Sequence, residues 1–297
     1  MHKNNKHNAQ YDLEKLVKVL PELQPHIFVN KHGNSTIDFA NLESVKLLNT
    51  SLLKAYYNID YWQFPEGNLC PPIPGRVDYI HYLNDLIKTL NITGAPKILD
   101  VGTGANCIYP LLGNAEYNWR FLASDCNEKA IASAENIIAK NNLKEEIKLI
   151  LQEDENLIFK GILKPEDTFE ATLCNPPFYK NEAEAIAATT RKLKGLGKST
   201  DTVTRNFAGQ ANELWYKGGE KAFLHNYLYE SSLFKTQCFW YTILVSNKDH
   251  VKTMKTSLTK LGATTIKVIN MSLGNKQSRV VAWTFLNNKE QELWQSK

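Results

Sequence analysis

The sequence predicts an α/β protein in which a seven-stranded, mostly parallel sheet carries helices on both faces and follows an N-terminal helical extension. Three observations carry that expectation. After Gly94, short apolar runs alternate with stretches of helical periodicity, which demands a parallel sheet with right-handed crossovers. The first run, 97–101 (KILDV), passes straight into a glycine pair, Gly102 and Gly104, the turn expected between a strand and a following helix. The last two strands, 265–270 and 279–286, are joined by Gly274-Asn275 with no helix between them, so one strand enters antiparallel.

Residues 1–10 hold His2, Lys3, Lys6 and His7 with no acid, and are expected to form a mobile basic tail; a basic arm that touches phosphate is the alternative. Residues 12–23 place Leu13, Leu16, Val17, Leu20 and Leu23 at helical spacing, closed by Pro21 and Pro25. A second helix fits 41–53, with Asn41 as its cap. Residues 56–76 combine five aromatic residues (at 56, 57, 61, 62 and 64) with Pro65, Pro71, Pro72 and Pro74, so an ordered loop is expected, its rings packing rather than stacking on bases. A helix is expected to begin at Arg76 and run to about residue 90, which makes 11–90 the extension and 91–297 the α/β domain. Within that domain the strands are expected at 97–101, 120–125, 147–151, 168–174 and 239–245, besides the final pair. Helices are expected at 106–113, 127–141, 155–163, 220–235 and 248–261.

Composition narrows the function classes. With 43% hydrophobic and 22% charged residues and a formal charge of +4, the chain reads as a soluble globular protein that tolerates a polyanionic partner. Its five cysteines (Cys70, Cys107, Cys126, Cys174 and Cys238) lack zinc or redox spacing, which suits reduced thiols in the cytoplasm. The histidines form no metal-binding cluster, the longest apolar run (238–245) is too short to span a bilayer, and the polar N-terminus has no signal-like core. The expectation is a cytoplasmic protein with no metal and no membrane partner.

Two motifs carry chemistry. Asp100-Val101-Gly102-Thr103-Gly104-Ala105 lets backbone approach a ligand, although Cys107 stands where a full dinucleotide fingerprint has its third glycine. Asp125 ends the next strand, where an acid can bind both ribose hydroxyls; capping the following helix is its other possible role. The second motif, Asn175-Pro176-Pro177-Phe178, stops the fourth strand of the α/β domain with two prolines. What is left is a stiff corner with bare carbonyl oxygens, one Asn amide and one aromatic face, an inventory suited to a flat amine-bearing group. No Walker lysine, nucleophile elbow or paired carboxylates occur.

In that order, these motifs resemble the class I S-adenosylmethionine-dependent methyltransferases, in the branch that methylates amines. The segments at 70–76 (CPPIPGR), 99–113 (LDVGTGANCIYPLLG), 218–220 (GGE) and 276–279 (KQSR) narrow the resemblance to the RlmF family, over nearly the whole chain after residue 30. The resemblance implies a Rossmann-like fold, S-adenosylmethionine as cofactor, and methylation of an adenine N6 in 23S ribosomal RNA, either free or in a large-subunit assembly intermediate. It implies that Arg76 meets the methionyl carboxylate, Gly102 the cofactor, Asp125 its ribose and Asn156 its adenine, with Asp100, Thr103, Gly104 and Asn175 completing the pocket. Asn175 and Pro176 would then accept the target N6 hydrogens, with Pro177 fixing the corner and Phe178 stacking on the base.

The long connection 180–217 is the expected substrate loop, because Arg191, Lys192, Lys194, Lys198 and Arg205 offer charge to a phosphate backbone. A solvated lysine-rich surface is the alternative. Other functions stay open from sequence: protein glutamine N5-methylation, which uses a similar corner, DNA adenine methylation, for which the sequence shows no separate target-recognition domain, and a non-catalytic RNA-binding assembly factor.

Overall fold

The computed structural model describes residues 1–177, 179–181, 183–185, 187, 214–273 and 276–295. In chain order the N-terminal part gives α1 (Leu13–Val19), an antiparallel pair β1 (Ile27–Val29) and β2 (Ser35–Ile37), α2 (Leu42–Tyr57) and α3 (Ile73–Ile87). Then follow β3 (Lys97–Val101), α4 (Ile108–Tyr117), β4 (Arg120–Asp125), α5 (Glu128–Lys140), β5 (Ile147–Leu151) and β6 (Phe169–Cys174). The last part holds α6 (Gly219–Ser231), β7 (Cys238–Val245), α7 (Lys248–Leu261), β8 (Thr265–Leu273), β9 (Lys276–Thr284) and α8 (Asn288–Gln295).

Seven strands form one sheet in the order β5-β4-β3-β6-β7-β9-β8, and only β9 runs against its neighbours. The expected late antiparallel insertion is therefore present. Successive residues of a strand point to opposite faces, and the burial obeys this. Ile98 and Phe121 join the apolar layer shared with α3, α4 and α5, whereas Leu99 and Val101 join the layer shared with α6 and α7. From β3 the chain moves outward through β4 to β5, then returns to the other side of β3 as β6. That reversal creates a crevice at the carboxyl ends of β3 and β6, where open α/β sheets bind ligands.

Five expectations need correction. Residues 1–10 are not a loose tail, since His2, Asn5 and His7 are buried. The His2 N–H donates to Asp78 Oδ1 at 2.6 Å, and Asn5 Nδ2 donates to Asp78 Oδ1 and to the Pro74 carbonyl, each at 2.9 Å. A buried acid inside α3 needs donors, and its own helix has none to spare. Helix α3 begins at Ile73 and not at Arg76, because Pro74 falls in the first turn, where its missing N–H has no helical partner to lose.

The helix expected at 155–163 is replaced by turns. The backbone N–H groups of Ile158, Phe159 and Lys160 donate to the Glu230 carboxylate at 2.8–3.1 Å, so a distant side chain takes the donors a helix would use. The β1–β2 hairpin and α8 were not anticipated; three-residue strands and a polar C-terminal stretch leave little periodic signal. Of the expected aromatic loop, Tyr56 and Tyr57 instead close α2; Tyr57, Trp62 and Phe64 are buried as packing residues, and Trp62 Nε1 donates to the Asn106 carbonyl at 2.8 Å.

Candidate active site

Strand register assembles the site. Val101 pairs with both Ser124 and Cys174, and Asp125 pairs with Leu151. Gly102, Asp125, Gln152 and Asn175 therefore stand at one edge of four adjacent strands.

The glycine turn uses its backbone in two ways. Gly102 and Thr103 both donate N–H to the Ser124 carbonyl at 2.9 Å, so neither N–H faces a ligand. Gly102 has φ +76, and a Cβ added there would meet nothing within 4 Å, which leaves a backbone face open to close approach. Gly104 donates its N–H to Asp125 Oδ2 at 2.8 Å, and Asn127 donates its own to Asp125 Oδ1 at 2.9 Å. Helix α5 is capped by Asn127, whose Oδ1 accepts from Lys129 and Ala130, so Asp125 is not the cap. An ionised carboxylate held in this way is an acceptor of the kind a ribose diol needs.

Asp100 and Arg76 form the charged part. Asp100 is 1% exposed, and neither of its oxygens has a hydrogen-bond partner among the described residues. Burial pushes its carboxyl up to about 7; the Thr103 hydroxyl opposes this without hydrogen-bond geometry, Asp125 adds to it and Arg76 opposes it. Arg76 Nη1 donates to the Tyr109 hydroxyl at 2.8 Å, whereas its buried Nε has no partner among the described residues. Sequence reading missed Tyr109 as the residue that aims Arg76, because the contact joins two helices 33 residues apart.

Asn175 is half-buried, and its Oδ1 is a buried acceptor with no partner among the described residues. An unpaired buried acceptor costs about 1–3 kcal/mol. Pro176 is buried and Pro177 half-buried. Thr103 is buried, its hydroxyl 3.7 Å from Cys107 Sγ, which gives it a role in shaping the turn. Asn156 is exposed, its Nδ2 bonded to Asp154 Oδ1 at 2.9 Å. Phe178, Arg191, Lys192, Lys194, Lys198 and Arg205 lie outside the described residues. Among the described residues no group of three or more metal-ligating side chains occurs, and no helix is long and apolar enough to cross a membrane.

The chain's sequence and fold are similar to those of known proteins. Residues 1–287 match a family described as RNA methyltransferase. The chain belongs to that RNA methyltransferase family. A relative from Flavobacterium johnsoniae, named ribosomal RNA large subunit methyltransferase F, is 46% identical over 99% of this chain and 96% of its own length. Among solved structures, the human METTL16 catalytic domain in complex with the MAT2A 3'UTR hairpin 1 superposes with a TM-score of 0.82 at 27% identity, over 97% of this chain and 96% of that one. The N-terminal domain of human METTL16 in complex with SAH gives 0.78 at 25% identity, over 97% and 99%. The seven-stranded class I methyltransferase fold is thus the fold of this chain, as its motifs predict.

The family's chemistry fits the residues present. An ammonium would satisfy the two unpartnered oxygens of Asp100, a carboxylate would satisfy Arg76, a ribose would reach Asp125, and Gly102 would let the ligand lie on its backbone.

Proposed function

We propose that this protein transfers the methyl group of S-adenosylmethionine to the N6 amine of an adenosine in 23S ribosomal RNA. The observation that carries the reading is Asn175 Oδ1, a buried acceptor without a partner among the described residues, at the end of β6 and one strand away from Gly102. When bound, the cofactor supplies a methyl group activated by its sulfonium. Asp100 and Arg76 hold the methionyl end, Asp125 the ribose, and the turn carrying Asn156 closes the adenine side. Asn175 Oδ1 and the Pro176 carbonyl accept hydrogen bonds from the two N6 hydrogens, which returns electron density to a lone pair otherwise drawn into the ring and aims it in line; the N–C bond would form as the methyl–sulfur bond breaks to leave a thioether, and one N6 proton then departs to water. Pro177 fixes the corner, and Phe178 supplies the ring on which the base stacks.

The N6 amine takes part in pairing inside a duplex, so the target adenosine is single-stranded or flipped out. Arg191, Lys192, Lys194, Lys198 and Arg205 would grip its phosphates. A ribosomal substrate, free or within an assembling subunit, places this work in the cytoplasm.

The test is nucleoside mass spectrometry of 23S ribosomal RNA, taken from cells lacking the enzyme and incubated with S-adenosylmethionine. N6-methyladenosine must appear with the intact protein and form about 100-fold more slowly with Asn175→Ala. Methylated glutamine in a ribosomal protein, with unmodified RNA, would replace this reading.

A further inference from the structure

Two buried glutamates on α6 have no part in the chemistry described above, yet each holds a different wall of the site. Glu220 lies in the first turn and is 7% exposed. It accepts from the Ser246 N–H and hydroxyl, each at 2.9 Å, just beyond the end of β7. His250 Nδ1 lies 3.2 Å from the same carboxylate, within ion-pair range but off hydrogen-bond alignment.

The segment before Glu220 is paired to the chain that leaves the Asn-Pro-Pro-Phe corner. Tyr179 donates its N–H to the Leu214 carbonyl, and Tyr216 donates to the Tyr179 carbonyl, both at 3.0 Å. Gly219 has φ +73, and a Cβ there would sit 2.8 Å from Lys180 Cγ, so glycine permits this close crossing. Glu220 thereby fastens the strip beside the corner to the rigid end of the sheet.

Glu230, 3% exposed at the other end of α6, receives the N–H groups of Ile158, Phe159 and Lys160. A carboxylate in such a nest makes strong, charge-assisted bonds. It shapes the turn that begins at Gln152, whose N–H donates to the Asp125 carbonyl at 2.9 Å. Asn226, between the two acids, donates to the Asn156 carbonyl at 2.7 Å.

We infer that α6 is a brace with divided duties: Glu230 is the positioning residue for the cofactor wall, and Glu220 for the target-amine corner. The inference rests on the proposed methyl transfer at that corner. A merely structural role would move both halves of the activity together, whereas divided duties separate them.

The experiment measures S-adenosylhomocysteine affinity by calorimetry, and kcat on ribosomal RNA from cells lacking the enzyme. Glu230→Ala is expected to weaken binding about tenfold, with Glu230→Gln recovering most of it because one acceptor oxygen remains. Glu220→Ala is expected to lower kcat about tenfold while the Kd stays within about twofold, with Glu220→Gln again recovering most of the loss. Should an alanine variant fail to fold, Glu230→Asp and Glu220→Asp, which withdraw the carboxylate by one methylene, carry the same comparison. Parallel changes in Kd and kcat for both positions, or no change at either, overturn the inference. Wild-type protein that binds S-adenosylhomocysteine but leaves RNA unmethylated refutes the proposed substrate instead, and the Kd values still decide the Glu230 half.

Discussion

Gly104 donates its backbone N–H to Asp125 Oδ2 at 2.8 Å, so the turn after β3 fixes the acid that ends β4. The glycine turn and the acid are thereby set relative to each other before any ligand arrives. Such preorganisation makes the contribution of single residues measurable.

The proposed reaction assigns amine recognition to Asn175. Asn175→Ala is expected to lower kcat about 100-fold, as removal of a preorganised polar group in an active site does. S-adenosylhomocysteine affinity should change far less, because Asp100, Arg76 and Asp125 remain. Single-turnover methylation and calorimetry on the same preparation check this, and an equal loss in both would move Asn175 into the cofactor pocket alone.

Asp100, in its proposed role, should make affinity pH-dependent. Burial raises its carboxyl from 3.8 to about 7, so the folded protein retains a proton there that a cationic ligand must displace. Affinity for S-adenosylhomocysteine should therefore rise about tenfold between about pH 6 and pH 8 and flatten in Asp100→Asn. Stability runs the opposite way. A raised carboxyl pKa stabilises fully below the unfolded value of 3.8 and loses that contribution as pH rises through about 7. Asp100→Asn should therefore unfold later than the wild type at alkaline pH, by at least about 1 kcal/mol, in denaturant titrations.

The N-terminal segment should detach in acid. His7 is buried with its Nε2 2.7 Å from the Tyr57 hydroxyl, and burial, with Lys6 and then His81 adding, lowers its pKa from 6.5 to about 4. A depressed histidine supports folding above its unfolded pKa and withdraws that support as pH falls from 6.5 towards 4. Protection from hydrogen exchange at residues 2–8, taken relative to the free-chain rate at each pH, should fall across that window and depend less on pH in His7→Gln.

Gly113 distinguishes packing from helix propensity. Alanine is the better helix former by about 1 kcal/mol, so propensity alone would have Gly113→Ala stabilise α4. A Cβ there would meet Phe121 Cζ at 2.5 Å and Trp119 Cε3 at 2.9 Å. The substitution should destabilise by about 1–3 kcal/mol in urea titration, because overpacking a rigid aromatic contact outweighs propensity.

The elements that sequence alone determined are those written in local patterns. Strand alternation, the glycine turn after Val101 and the prolines after Asn175 each constrain their own backbone, so β3 to β7 fall where periodicity and turn residues put them. α7 (Lys248–Leu261) was expected over the same residues that the structure shows. Tertiary structure decided whatever depends on partners distant in the chain. Three N–H groups turned towards Glu230 cancel a helix that the pattern at 155–163 favours, and Asp78 draws in a polar N-terminus that composition marks as loose. Tyr109 aims Arg76, and Glu220 ties the corner strip to β7, through contacts no window of sequence contains. The physical reason is common to all of them. A buried donor or acceptor must be satisfied wherever its partner lies, and sequence shows the demand long before it shows the partner.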